Sequence, residues 1–256
     1  MTIDWKLLSK TAHSQPYPLL FTTISGAHLY GFPSPDSDFD LRGIHILPLA
    51  EVIGLYSAKE TIESSEIEAD LQIDLVTHDL KKFFLLLLKR NGYVLEQLYS
   101  PLVVKTTPEH EQLKAIALNC ITRNHYYHYL GFAKNQWRLF TKTEVYYIKP
   151  LLYIYRVLLT GIYLMNTGIV EANLVNLNRE FNLPFIDNLI AQKRANSEKS
   201  ILTKTDFKYH KREYQRLQSE METDFINSCL PDLPSAESEL NSLLVNIRQN
   251  TLRKFM

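Results

Sequence analysis

The stretch from Gly26 to Arg42 constrains this chain more than any other. It reads Gly-Ala-His-Leu-Tyr-Gly-Phe-Pro-Ser-Pro-Asp-Ser-Asp-Phe-Asp-Leu-Arg. A turn of small residues, Ser25-Gly26-Ala27, comes first, and a Pro/Ser/Gly loop follows from Gly31 to Pro35. The pair Asp38 and Asp40 then leads into the mostly apolar run Leu41 to Leu47. Residues i and i+2 of a strand face the same way. An extended Phe39 to Ile46 therefore sets the two carboxylates side by side. Carboxylates that close repel each other unless a cation lies between them. Hard divalent cations such as Mg²⁺ take oxygen ligands of this kind.

A two-ion site of this type needs a further carboxylate on a strand facing the pair. Leu71 to Val76 supplies one. Leu71, Ile73 and Leu75 share one face, and Asp74 lies on the other. Asp70 has the same phase, but it sits nearer the turn, where water can solvate it. Asp74 lies within the strand, where a carboxylate without a partner is costly. The metal-ligating set is therefore Asp38, Asp40 and Asp74. Glycine lets backbone approach a phosphate closely, and turn amides form anion-binding nests. Ser25, Gly26 and Ala27 thus become candidates for a triphosphate, and His28 and Ser37 flank them. An isolated Asp-x-Asp is more often a solvated turn, so the combination carries the argument. A calcium EF-hand is excluded by its ligand spacing and the missing closing glutamate.

Gly26-Ala27, Tyr30-Gly31, Ser37-Asp38-Phe39-Asp40 and Arg42-Gly43-Ile44 together resemble the signature of the DNA polymerase β-like nucleotidyltransferases. The nearest resemblance is to the RNA-repair-pathway polymerase-β family, RlaP. Asp74-Leu-Val-Thr-His-Asp-Leu-Lys-Lys-Phe83 resembles that family's third-carboxylate strand running into a helix. Asn91-Gly-Tyr-Val-Leu-Glu96-Gln-Leu-Tyr99 resembles the segment that follows. The resemblance is good over residues 20–100 and loose beyond. It implies transfer of a nucleoside monophosphate from an NTP, ATP first, to an acceptor hydroxyl, with Mg²⁺ or in its place Mn²⁺. The implied acceptors are an RNA or tRNA 3′ end, then a protein hydroxyl, then a small molecule. Where the family carries serine after the glycine, this chain has Ala27, which removes one hydrogen bond to phosphate. A non-catalytic module that binds nucleotide or a partner protein is the rival reading.

Arg42 shares the carboxylates' face and is assigned either to Asp40 or to phosphate. Lys149 and Arg156 are seven apart, with Tyr153 between them, so they share a helix face. That segment also resembles a Lys- and Arg-bearing helix of the family, and both residues are counted toward the nucleotide. Pro150 either kinks this helix or marks its start. The cluster His125 to Tyr129 lacks an H-E-x-x-H pattern and reads as packing.

The expected fold is α+β. A nucleotidyltransferase domain over 1–104, with a short mixed sheet flanked by helices, precedes an all-helical domain over 105–256. Helices are expected at Trp5–His13, near Ala27–Tyr30, within 48–55, from Asp79 to Arg90, and at Tyr93–Tyr99. Strands are expected at 17–24, 39–46 and 71–76, with the acidic segment 58–69 as an exposed hairpin arm or loop. Beyond Pro108 the pattern is helical: 109–140, 144–166, 170–181, 187–194, 204–229 and 235–253. The run Phe83 to Leu88 is apolar nearly all round and is expected to be buried.

Net charge is zero but uneven. Residues 1–104 carry 8 Lys and Arg against 13 Asp and Glu, and the remainder carries 20 against 15. That excess is too small to argue for nucleic acid. Cys120 and Cys229 show no ligand spacing, and so few cysteines suit a reducing compartment. With no signal pattern and no apolar run of membrane length, a cytoplasmic protein without membrane contact is expected.

Overall fold

The structure, a computed structural model, describes residues 3–56, 58–68, 71–142, 145–196, 201–202 and 204–253. The first elements are α1 (Trp5–His13), β1 (Leu19–Ile24), α2 (Gly26–Leu29), β2 (Phe39–His45) and α3 (Leu49–Ile53). Next come β3 (Thr61–Glu68), β4 (Leu71–Asp79), α4 (Leu80–Leu88), α5 (Gly92–Leu98), β5 (Val103–Lys105) and α6 (Pro108–Ala117). The remaining helices are α7 (His125–Phe140), α8 (Ile148–Thr167), α9 (Leu174–Phe181), α10 (Pro184–Asn196), α11 (Lys204–Asn227) and α12 (Glu237–Arg253). The fold is α+β, as expected. The compact units, however, are not the linear pair 1–104 and 105–256. One unit comprises residues 1–26, 38–121 and 233–256, and the other 27–37 and 122–232.

The first unit is built on a mixed five-stranded sheet in the order β3-β4-β2-β1-β5. β2 and β4 run parallel, and the other pairs are antiparallel. All six positions of β1 are buried, as suits a central strand with both faces covered. Alternation along β2 and β4 sends Phe39, Leu41, Ile73 and Leu75 to one face, where they pack with Leu8 of α1 and Ile24. The opposite face carries Asp40, Arg42 and Asp74. Thr23 of β1 shares that face as the register partner of Arg42, and it donates to the Gln97 carbonyl of α5 at 2.9 Å.

Helix starts follow their caps. Asp4 accepts from the amides of Lys6 and Leu7, and Asn91 accepts from that of Tyr93. Asp79 caps α4 through the Lys81 amide, where the sequence placed it. It is also held by Arg248 of α12, whose guanidinium reaches both carboxylate oxygens at 2.6 and 2.7 Å and also the Leu47 carbonyl. The α4 run is less enclosed than expected: Phe83, Phe84 and Leu87 are buried, but Leu85 is exposed.

Burial pushes the His45 imidazole of β2 down to about 4; the charges of Arg248 and His78 push the same way, against Asp79. The unfolded chain takes up this proton near pH 6.5. His45 therefore contributes stability above pH 6.5 that is lost as pH falls toward 4, about 3 kcal/mol at about 1.4 kcal/mol per pKa unit. Chemical denaturation at pH 7 and pH 4.5 should show this fall, and His45→Gln should make it shallower. An equal fall in both proteins would assign the effect elsewhere.

In the second unit, α8 is buried along most of its length and packs with α7, α9, α10 and α11. It is long and apolar enough to cross a membrane, yet most of its surface is covered by protein. Pro150 stands in its first turn and marks the start, leaving no kink between Lys149 and Arg156. Much of the aromatic content packs here: Trp137 stacks on Tyr214 at 4.1 Å, Tyr146 on Phe207 at 4.1 Å, and Tyr126 on Phe225 at 4.4 Å. His125 and Tyr129 are buried, in line with a packing role for that cluster.

Several expected boundaries differ. The helix expected over 109–140 is two helices, parted by a 3-10 turn at Leu118–Cys120 and a break at 121–124. At that break the His125 ring bonds back to the Thr122 backbone, a local bond that competes with helix continuation. The acidic segment forms a true strand, β3, paired along its length with β4. Ala69 and Asp70 lie outside the described residues, as does Glu144, where α8 was expected to begin.

Candidate nucleotidyl-transfer site

Parallel pairing of β2 with β4 sets Asp40 directly across from Asp74. Neighbouring strands lie about 4.8 Å apart, and residues paired in register face the same way. The site's two strand carboxylates are therefore brought together by register. Asp38 stands two residues upstream of Asp40, exposed, just before β2 begins.

Asp40 is held on two sides. Its Oδ1 accepts from Arg42 Nη2 at 2.6 Å. Its Oδ2 lies against Gly26, where any Cβ would collide with it. Gly26 also has φ +61°, a left-handed conformation that glycine tolerates best. Both the backbone and the space at this turn therefore demand glycine. The Ser25 amide donates to the Asp40 carbonyl at 2.7 Å, tying the turn to β2. The Ser25 hydroxyl is buried and has no hydrogen-bond partner among the described residues.

Asp74 is held differently. Ser65, its register partner on β3, donates to Oδ1 at 2.6 Å. Gln72 donates to both oxygens, at 3.3 and 3.1 Å. Arg42 donates from Nε to the Tyr93 hydroxyl at 3.0 Å, and from Nη1 to the carbonyls of Leu41 and Asp74, each at 2.8 Å. Burial works against its charge, but Tyr93 and Asp40 outweigh that and hold its pKa above the ordinary value.

The donor set fits a hard divalent cation. It is all carboxylate oxygen, the ligand type such ions take, and the room beside Gly26 is filled by Asp40 Oδ2 itself. Among the described residues, no three His, Cys, Asp or Glu side chains stand close enough to hold an ion as they are. Each strand carboxylate is held by its own partners: Arg42 for Asp40, and Ser65 with Gln72 for Asp74.

The other candidates belong to the second unit. Ala27 is buried and His28 half-buried on α2. Ser37 is buried, and its hydroxyl accepts from the Ser34 amide at 2.9 Å, a local turn bond. Arg156 is buried, with its guanidinium over the Tyr30 ring at 4.0 Å, a cation–π contact that gives it a packing partner. Burial and the Arg156 charge push His128 down to about 4. Lys149 is half-buried; its charge, with that of Lys193, adds to the Ser34 hydrogen bond in lowering the Asp36 carboxyl.

Sequence reasoning missed two cations of α10. Lys193 is fully buried and donates to the Phe32 carbonyl at 2.9 Å and to the Ser34 hydroxyl at 3.2 Å. Arg194 donates to the Gly31 carbonyl at 2.8 Å. Together they fasten the Gly31–Pro35 loop. Nothing in the spacing of a helix's last turn marks such a role. Ser65, Gln72 and Tyr93 were also missed, since only strand register and helix placement bring them to the carboxylates and to Arg42.

The chain is 39% identical over 151 residues to the uncharacterized protein MJ0002 of Methanocaldococcus jannaschii, a match covering 58% of this chain and 61% of that protein, so it spans under two thirds of that relative. It is 24% identical over 249 residues to the uncharacterized protein YcgL of Bacillus subtilis, covering 93% of each. A solved nucleotidyltransferase-like protein from Exiguobacterium sibiricum aligns over 87% of this chain and 73% of its own at 11% identity; its TM-score of 0.32 is too low to carry an argument. With residues 3–246 matching, the chain belongs to the RlaP family, the RNA repair pathway DNA polymerase beta family.

Proposed function

We propose that this protein is a Mg²⁺-dependent nucleotidyltransferase that moves a nucleoside monophosphate from an NTP to an acceptor hydroxyl and releases pyrophosphate. Family membership supports nucleotidyl transfer in general. The observation that carries the fuller reading is the register that places Asp40 beside Asp74, with the Gly26 turn against Asp40. Asp38, Asp40 and Asp74 would hold the cation, which supplies charge to steady the attacking oxygen and the leaving phosphate. The Gly26 amide and the Ser25 hydroxyl are assigned to the triphosphate, the Ser25 amide being taken by the Asp40 carbonyl. The acceptor oxygen bonds to the α-phosphorus as the bond from that atom to the bridging oxygen breaks. The bonding pair leaves on pyrophosphate, and Asp74 is the carboxylate assigned to take the acceptor's proton. ATP is the first candidate donor, and an RNA or tRNA 3′ end the first candidate acceptor, ahead of a protein hydroxyl.

The reading makes the carboxylates act as a set. Asp74→Asn should weaken Mn²⁺ binding, followed by electron paramagnetic resonance, by at least about tenfold, and abolish transfer. Mn²⁺ affinity equal to that of the unaltered protein would contradict the shared site and favour a module that binds nucleotide or a partner without chemistry.

A further inference from the structure

We infer that Arg42 is a positioning residue for the Asp40 carboxylate and does not bind the substrate's phosphates. The inference rests on the cation-site reading above. A guanidinium offers five N–H groups, and the protein engages four of them. Nε is taken by Tyr93, both Nη1 hydrogens by the Leu41 and Asp74 carbonyls, and one Nη2 hydrogen by Asp40. One N–H is left for anything else.

The partners are themselves fixed. Leu41 and Asp74 are backbone acceptors on β2 and β4, at the level where the two strand carboxylates stand. Tyr93 lies in the first turn of α5, beside the cap Asn91. The guanidinium therefore bridges two strands and a helix, and from that frame it grips Oδ1 of Asp40. With Oδ1 held by Arg42 and Oδ2 turned toward the bare Gly26 backbone, the carboxylate has one orientation. Hydrogen-bond partners that orient a ligating carboxylate in this way commonly matter 10- to 100-fold for metal affinity.

The charge on Arg42 pulls in the other direction, since a cation beside a cation site repels its occupant. Arg42→Lys separates the two effects, because it keeps the charge and loses the planar fork. Mn²⁺ is titrated into the full chain by electron paramagnetic resonance, with melting followed in parallel. The comparison includes Arg42→Lys, Tyr93→Phe and Asp40→Asn. Positioning predicts about tenfold or greater loss of Mn²⁺ affinity in Arg42→Lys. Tyr93→Phe removes one hydrogen bond from the frame and should lose about two- to tenfold. Affinity that is unchanged or tighter in these variants, with Asp40→Asn still weakened, overturns the positioning role and leaves the cation site standing. Affinity unchanged in Asp40→Asn overturns the cation site itself. If Arg42→Lys fails to fold, Tyr93→Phe decides by the same criterion.

Discussion

Replacing Arg248 with alanine should destabilise the protein by about 3–5 kcal/mol, the usual cost of stranding a buried charge. Arg248 and Asp79 are both almost fully buried, and one guanidinium nitrogen, Nη2, reaches both carboxylate oxygens. Asp79 has further work: it accepts from the Lys81 amide as the α4 cap, and from the Leu47 amide at 3.3 Å. Removing Arg248 leaves this buried carboxylate with two amide donors and without its ion-pair partner. Domain stabilities are about 5–15 kcal/mol, so the loss takes a large share. The double variant Asp79→Asn/Arg248→Met should recover part of it, since a neutral Asn still caps the helix and no charge is stranded. Urea denaturation of the singles and the double measures this. A loss below about 1 kcal/mol for Arg248→Ala would show that α12 is held by something else.

The double variant Asp38→Asn/Asp40→Asn should lose at least about 1000-fold in transfer rate. Metal ions contribute several kcal/mol of transition-state stabilisation, and each 1.36 kcal/mol is about tenfold in rate. Removing two charges from the ligand set takes away most of that contribution. The fold should survive, because the Asn at position 40 can still accept from Arg42 and its backbone pairing is untouched. Melting within a few degrees of the unaltered protein is the expected control.

The sheet strands that carry the site were legible because their apolar residues alternate cleanly: Phe39 and Leu41 on β2, Ile73 and Leu75 on β4. Asp79 was legible as a cap because it opens an apolar run. β3 was less legible, since its glutamates mask an edge strand paired with β4. β5 is three residues long, too short for periodicity to register. The true composition of the two units was not legible at all. Segment 27–37 is fastened by Lys193 and Arg194, and α12 by Arg248, and each of these bonds spans more than 150 residues. No local pattern announces a partner at that separation.

The site was legible as residue types and less so as geometry. Period two placed Asp40 and Asp74 on one face each; only the parallel register makes them neighbours. The glycine of the turn was read as room for a phosphate, and the structure adds that Asp40 itself needs that room. Spacing alone assigns Arg42 to carboxylate or phosphate alike; its four bonds depend on strand register and on the placement of α5, which no spacing reveals.

The most direct measurement is label transfer. The protein is incubated with Mg²⁺ and each of the four α-labelled NTPs, with total RNA and cell lysate as acceptors, beside the Asp38→Asn/Asp40→Asn variant. The account predicts label joined covalently to an acceptor, RNA first, from the intact protein alone. Label transferred equally by both proteins, or by neither while nucleotide binding persists, would contradict it.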